Sequence, residues 1–263
     1  MVVCGDSMEL NRDYESAAIY KWRKKRKKAF VLFICIVGIC FLVTRMVRVE
    51  DKTTVKVHNM HTEQNEKAIR YVASNMIKED PKIAITFDDG PSPAWTPQLL
   101  DGLKERNVKA TFFLIGENAK NNPELVKREA EEGHLIGNHT YHHVEITRVP
   151  DETAQEEILM TNEVITGITG EEVPYMRPPF GVWQKNLERK LDVMPVLWTI
   201  DPLDWTTDNE DEIINKVVTQ AGENDIILLH DCYESSVNAA LRIVDILQKE
   251  GFEFVTVDEL IMN

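Results

Sequence analysis

From Lys82 to the C-terminus, two hydrophobic periods take turns along the chain. Short runs rich in β-branched and aromatic residues fall near 82–87, 110–115, 134–138, 173–177, 194–200, 225–230 and 252–257. Between most of them, apolar residues recur at three- and four-residue spacing, at 96–106, 122–132, 151–167, 184–191, 210–221 and 235–249. The first pattern predicts strands and the second amphipathic helices. Thr96 before Pro97, Asn122 before Pro123 and Asp151 ahead of an acidic turn read as helix starts, and Gly133 and Gly251 as stops. Regular alternation of this kind predicts an α/β fold: a mostly parallel sheet with crossover helices, open or closed as a barrel. In such folds the chemistry gathers at the C-terminal ends of the strands.

The first 80 residues follow another pattern. A basic block, Lys21 to Lys28, precedes the uncharged run Ala29 to Val43. Continued to Val47, with Arg45 reaching back to the interface, that run approaches the roughly 20 residues a spanning helix needs. The basic flank predicts residues 1–28 inside the cell, a transmembrane signal anchor over 29–47, and everything after it outside. A cleaved signal peptide is the competing reading, but "TRMVRVED" has no small-residue cleavage pattern. Residues 48–80 are polar and read as a stalk, in which Ala68, Ile69, Val72, Ala73, Met76 and Ile77 suggest one short helix. Residues 81–263 form the folded domain. The expected location is therefore the cell membrane, single-pass, with the domain extracellular.

Charge narrows the partners. Residues 1–50 carry 10 Lys and Arg against 5 Asp and Glu, which leaves 20 against 39 for the rest of the chain. A domain that acidic argues against nucleic acid or any other polyanion. Of the four cysteines only Cys232 falls in the exported part, so no disulfide can form within the domain, and Cys232 reads as a packing residue.

The predicted strand ends carry ionisable groups. The first ends in Asp88 and Asp89, followed by the breakers Gly90, Pro91 and Pro93. Alone, this is a turn after a strand. The third ends in "GNHTYHH", where His139 and His143 are four apart and one helical turn would put both imidazoles on a common metal; His139 and His142 are an alternative pair. Two imidazoles and a carboxylate with open positions suit catalytic rather than structural zinc. The fourth ends in "YMRPPFG" with Arg177, the fifth in "TIDPLDW" with Asp204 and Trp205, and the sixth in "IILLHD" with His230. Each has a bland reading as a rigid turn, a helix start or a structural histidine. Five such ends in one chain are harder to dismiss.

In this order, "TFDDGPS", "HTYHH", "RPPFG", "DPLDW" and "LLHD" resemble the five motifs of the polysaccharide deacetylases, the NodB-homology or carbohydrate esterase family 4 enzymes. The resemblance runs from about Lys82 to the C-terminus. It implies a distorted (β/α)7-type barrel with parallel strands and outer helices, here preceded by the transmembrane helix. It also implies a divalent metal, usually zinc although cobalt or another ion can substitute, and removal of N-acetyl groups from N-acetylglucosamine units of peptidoglycan, chitin or a related glycan. By the same resemblance Asp89, His139 and His143 would bind the metal, Asp88 would be the general base paired with Arg177, and His230 the general acid tuned by Asp204. Trp205 and Leu228 would wall the acetyl pocket, and the backbone N–H of Phe180 would hold the oxyanion. Phe180 stands where the family usually has Tyr, which removes a ring hydroxyl but not a backbone donor. Retention of Asp89 argues against the subgroup that forms muramic lactam. The alternatives are an O-deacetylase of acetylated xylan or another O-acetyl glycan, a hydrolase of other C–N bonds such as cyclic amides, and a catalytically silent wall-binding module.

Overall fold

Strand β1, Lys82–Asp88, has six consecutive buried residues after its first, because strands pack on it from both sides and helices cover it. The computed structural model describes residues 80–184, Leu187 and residues 191–262. The basic N-terminus, the anchor over 29–47 and all but the last residue of the stalk lie outside these residues, as does most of the helix expected at 184–191. Among the described residues no helix is long and apolar enough to cross a membrane.

The remaining strands are β2 (Thr111–Leu114), β3 (Leu135–Asn138), β4 (Tyr175–Met176), β5 (Met194–Pro195), β6 (Ile226–His230) and β7 (Glu253–Phe254). They pair in the order β5-β4-β3-β2-β1-β6, with β7 against the start of β1. Every pairing is parallel. The helices are α1 (Thr96–Glu105), α2 (Gly116–Asn121), α3 (Pro123–Glu131), α4 (Asp151–Thr169), α5 (Glu210–Gln220), α6 (Glu234–Glu250) and α7 (Val257–Ile261). The sheet is curled. The chain leaving β5 at one edge reaches β6 at the other, where Ile200 and Ile227 form an isolated parallel bridge. The result is a parallel-strand, curled half-barrel of the α/β class.

Alternation along the strands sorts two faces. Ile83, Ile85, Phe87, Phe112, Leu114, Ile136, Ile227 and Leu229 pack with the helices in one large core. Ala84 and Phe113 belong to a smaller cluster on the opposite, concave face. Phe112 is fully buried, stacked on Phe87 at 5.3 Å and edge-on to His134 at 5.2 Å. Phe112→Ala should therefore cost about 3–5 kcal/mol in urea unfolding; a loss below about 1 kcal/mol would mean this core is poorly packed.

Three local expectations are corrected. Thr96 is not a cap: α1 begins at Thr96 itself, Trp95 is the N-cap residue, and no side chain caps the helix. The Thr96 hydroxyl is instead spent on the buried Asp231 carboxylate. Asp151 lies inside the first turn of α4, behind Pro150. The runs at 173–177 and 194–200 keep only two regular residues each, because Pro174 and Pro195 lack the N–H a ladder needs and the curl pulls the segment away from β4. Gly133 and Gly251 are left-handed stops as expected, at φ 81° and 92°.

Candidate active site

On the concave face, Thr86, Asp88, Leu228 and His230 share one parity, with Thr86 opposite Leu228 and Asp88 opposite His230 in the β1–β6 register. In a regular strand the next residue, Asp89, would point into the helix layer. It does not. Asp89 takes φ 71°, so both carboxylates line one cleft of about 410 Å³. Gly90 follows because space demands it: a Cβ there would strike the Asp231 carboxylate. His139, His143, Phe180, Trp205, Leu228 and His230 also line the cleft. Thr140, His143, Phe180 and Leu203 share the left-handed conformation, at φ 56–61°. Left-handed non-glycine residues cost on the order of 1–3 kcal/mol each, and here they gather where side chains must be re-aimed.

One oxygen, Asp89 Oδ1, is buried without a hydrogen-bond partner. It lies 3.4 Å from His139 Nε2 and 3.4 Å from His143 Nε2. That is long for a hydrogen bond, but tetrahedral zinc with bonds of about 2.0–2.1 Å holds its ligand atoms about 3.3–3.4 Å apart. All three atoms lie within 4.8 Å of one another. His139 Nδ1 faces the Arg177 carbonyl at 2.6 Å, which fixes that nitrogen as the donor and leaves Nε2 with a lone pair that could bind a metal. Burial pushes the Asp89 carboxyl up, but His139, His230 and His143 together pull it below its ordinary value. The residues fit a divalent cation. The histidine pair is His139 and His143, reached through a bent loop rather than the expected helical turn. His142 lies outside this group: its side chain is exposed, with Nδ1 held by Glu157 Oε1 at 2.7 Å.

Arg177 is fully buried and spends four of its five N–H groups. Nη1 donates to Asp88 Oδ1 at 2.8 Å and to Thr86 Oγ1 at 2.6 Å, Nε to the Val196 carbonyl and Nη2 to the Leu197 carbonyl. Its guanidinium carbon sits 4.3 Å from the centroid of the Phe113 ring. Phe113 in turn lies where a Cβ on Gly137 would be, so the strand glycine makes room for it. Burial lowers the Arg177 pKa and Asp88 opposes that. Paired and hydrogen-bonded in this way, a buried guanidinium is tolerable.

On the other side of the cleft, Asp204 is buried and grips His230 twice. Oδ2 accepts the His230 backbone N–H and Oδ1 faces His230 Nδ1, both at 2.8 Å. Burial would depress the imidazole, yet Asp204, with Asp88 and Asp89 behind it, carries its pKa up to about 9. The pinned Nδ1 leaves Nε2 as the free nitrogen of a ring that lines the cleft.

All ten residues singled out from the sequence thus belong to one constellation, eight lining the cleft and Arg177 and Asp204 holding two of them from beneath. Sequence reasoning missed Trp198 and Tyr233, which also line the cleft together with Asp201, the first of the two carboxylates in "TIDPLDW". Trp198 was hidden in a run read as strand core, and Tyr233 stands three residues after His230, where an aromatic beside a motif was the available signal. It also missed Asp231, fully buried, with burial pushing its carboxyl up to about 7. Cys232 fits a packing role: burial and the surrounding carboxylates push its thiol up to about 12.

Comparison with known proteins agrees with this geometry. The sequence profile described as polysaccharide deacetylase matches residues 75–196. A peptidoglycan-N-acetylglucosamine deacetylase of Bacillus cereus is 39% identical over 186 residues, covering 68% of this chain and 68% of that one. PgdA of Listeria monocytogenes, named as an enzyme of the same activity, is 37% identical over 216 residues, covering 80% of this chain. The chain spans only 46% of the length of that Listeria relative. The solved structure of the peptidoglycan deacetylase PdaC from Bacillus subtilis superposes with a TM-score of 0.68 at 38% identity, over 70% of this chain and 91% of that one.

Proposed function

This chain belongs to the polysaccharide deacetylase family, and from that premise we propose that it hydrolyses N-acetyl groups on N-acetylglucosamine units of a cell-wall glycan, releasing acetate. The observation that carries the reading is the carboxylate–imidazole–imidazole triplet flanked by two oppositely arranged pairs, Asp88–Arg177 and His230–Asp204. Asp89, His139 and His143 would hold a divalent ion, zinc by the chemistry of the donor set. When bound, that ion supplies Lewis acidity to the acetyl carbonyl and to the attacking water.

The chain's own residues do the rest. Asp88 accepts the proton of the attacking water through the oxygen that Arg177 leaves free. His230 Nε2 delivers a proton to the nitrogen of the leaving glucosamine, without which an amine departs poorly. Asp204, facing Nδ1, favours the doubly protonated ring, so that Nε2 carries the proton it delivers. The Phe180 backbone N–H meets the oxygen on which negative charge develops. Leu228 and Trp205 enclose the acetyl methyl, and the exposed Phe180 and Trp205 rings offer faces to sugar rings.

We read the curl of the sheet as the distorted (β/α)7-type barrel the motifs imply. The sequence pattern of residues 1–80 supports a cytoplasmic N-terminus, an anchor over 29–47, a stalk, and an extracellular domain over 81–263 facing the wall.

The test is acetate release by the full-length chain from chitooligosaccharides and from isolated peptidoglycan. Chelator should abolish it and zinc restore it. No acetate from either substrate with one metal bound would sink the N-deacetylase reading and leave an O-acetyl glycan esterase or a silent wall-binding module. Acetate release that survives stripping would sink the metal.

A further inference from the structure

We infer that Glu157 is a positioning residue for the metal site, holding in shape the loop that carries His139 and His143. The inference rests on the metal-centre reading above and adds a part that lies outside the five motifs.

The loop from His139 to His143 is not helical, so its backbone N–H groups have no partners within it and must be satisfied from outside. His139 N–H donates to the Leu114 carbonyl on β2, and Thr140 N–H to Asn138 Oδ1. The next two have one partner between them. Tyr141 N–H and His142 N–H both donate to Glu157 Oε2, at 3.0 and 2.8 Å. The other oxygen, Oε1, pairs with His142 Nδ1. Glu157 is 7% exposed and sits mid-way along α4. One residue on, the Ile158 carbonyl accepts from Asn138 Nδ2, which also donates to Asn162 Oδ1. One helix therefore grips the loop at two points.

The two ligands do not depend on this grip equally. His139 abuts the end of β3 and its Nδ1 is fixed by the Arg177 carbonyl. His143 lies beyond the gripped amides, in a left-handed conformation, with Thr140 left-handed on the other side of them. Without the carboxylate, two N–H groups lose their acceptor, and the strained turn is left with its carbonyl contacts, Thr140 and Tyr141 accepting from the Gly116 and Glu117 N–H groups. His143 should leave the ion first. Residues that orient ligands in this way are typically worth 10–100-fold in metal affinity.

The experiment measures zinc affinity of the full-length chain by competition with a chromophoric chelator, and the visible spectrum of the cobalt-loaded protein. The variants are Glu157→Ala, Glu157→Gln and His142→Ala, and thermal unfolding is followed for each. Glu157→Ala should bind zinc about 10–100-fold more weakly and change the cobalt spectrum, as loss of an imidazole ligand does. Glu157→Gln should fall between it and the wild type, because one amide oxygen still accepts. His142→Ala should stay within about threefold of wild type, since both backbone bonds to Oε2 survive it. Wild-type zinc affinity and an unchanged cobalt spectrum in Glu157→Ala, whatever its melting temperature, would overturn the inference and leave Glu157 a fold residue only. If Glu157→Ala does not fold, the same criterion applies to Glu157→Gln. A wild-type chain that takes up neither zinc nor cobalt overturns the metal-centre reading itself, and the positioning role with it.

Discussion

Asp88→Asn is expected to lower kcat for acetate release about 10²–10⁴-fold, the range general-base catalysis usually covers, while one metal ion stays bound and KM changes little. Asn matches Asp in shape, so its side-chain oxygen can still accept from Arg177 Nη1, the 2.8 Å bond that locks the wild-type group. What it cannot do is take a proton. The metal should stay because Asp88 Oδ2 stands 3.8 Å from His139 Nε2, farther than Asp89 Oδ1. Asp88→Ala is the harsher change: it leaves the buried Arg177 without its counter-charge, which typically destabilises by about 3–5 kcal/mol. If Asp88→Asn kept kcat within about threefold of wild type, another group would be the base. If it lost the metal, Asp88 would have to be counted among the ligands.

The roles of the two adjacent aspartates show which part of the site the sequence exposes. That two carboxylates end β1 is plain from the letters. That they serve one cleft is not, because alternation in a strand would send them to opposite faces. The difference is the left-handed Asp89. In a sequence, glycine announces such a conformation. Here Asp89, Thr140, His143, Phe180 and Leu203 adopt it under tertiary pressure; Asp and His are only mildly disposed to it, and nothing in the identity of Thr, Phe or Leu says so. The spacing of His139 and His143 points to a pair that the structure does bring beside Asp89, but not by the helical turn expected, since none joins the two residues. Contacts from distant elements were equally hidden: Glu157 on the loop amides, the Arg177 carbonyl on His139, and Thr96 on Asp231.

The fold was legible to the extent that its signals are periodic. β1, β2, β3 and β6 fall where β-rich runs were read, and α1, α3, α4, α5 and α6 where apolar residues recur at helical spacing. What periodicity cannot encode is curvature. Residues 194–200 read as one strand, but only Met194 and Pro195 pair regularly with β4; the rest swings across to the single bridge at Ile200. That swing brings the Val196 and Leu197 carbonyls onto Arg177 and leads Asp204 under His230. The curl of the sheet therefore builds both pairs that flank the Asp89, His139 and His143 triplet. Short helices α2 and α7, at 6 and 5 residues, are too brief to show a period at all.

His230→Ala is expected to cut kcat about 10²–10⁴-fold on an N-acetyl substrate, and distinctly less on an O-acetyl ester of the same sugar. An alkoxide leaves with less help than an amide nitrogen, so the ratio of the two losses reports what the acid is for. Asp204→Asn separates the acid's presence from its tuning. Asp204 is the main group holding His230 up, to about 9, against the downward pull of burial. A general acid works while it is protonated, so activity is lost as pH rises through its pKa. A bound divalent cation offsets the part of the upward pull that Asp88 and Asp89 exert, which leaves Asp204 as the dominant support in the loaded enzyme. In Asp204→Asn the alkaline limb of kcat should therefore move to lower pH, because burial then acts unopposed by that carboxylate. At mildly acidic pH the variant should recover part of its activity, whereas His230→Ala should not recover at any pH. An alkaline limb unmoved in Asp204→Asn would show that His230 is not the group being titrated. Equal losses on amide and ester in His230→Ala would point instead to the imidazole stabilising charge on the carbonyl oxygen, a role in which the nature of the leaving group does not matter.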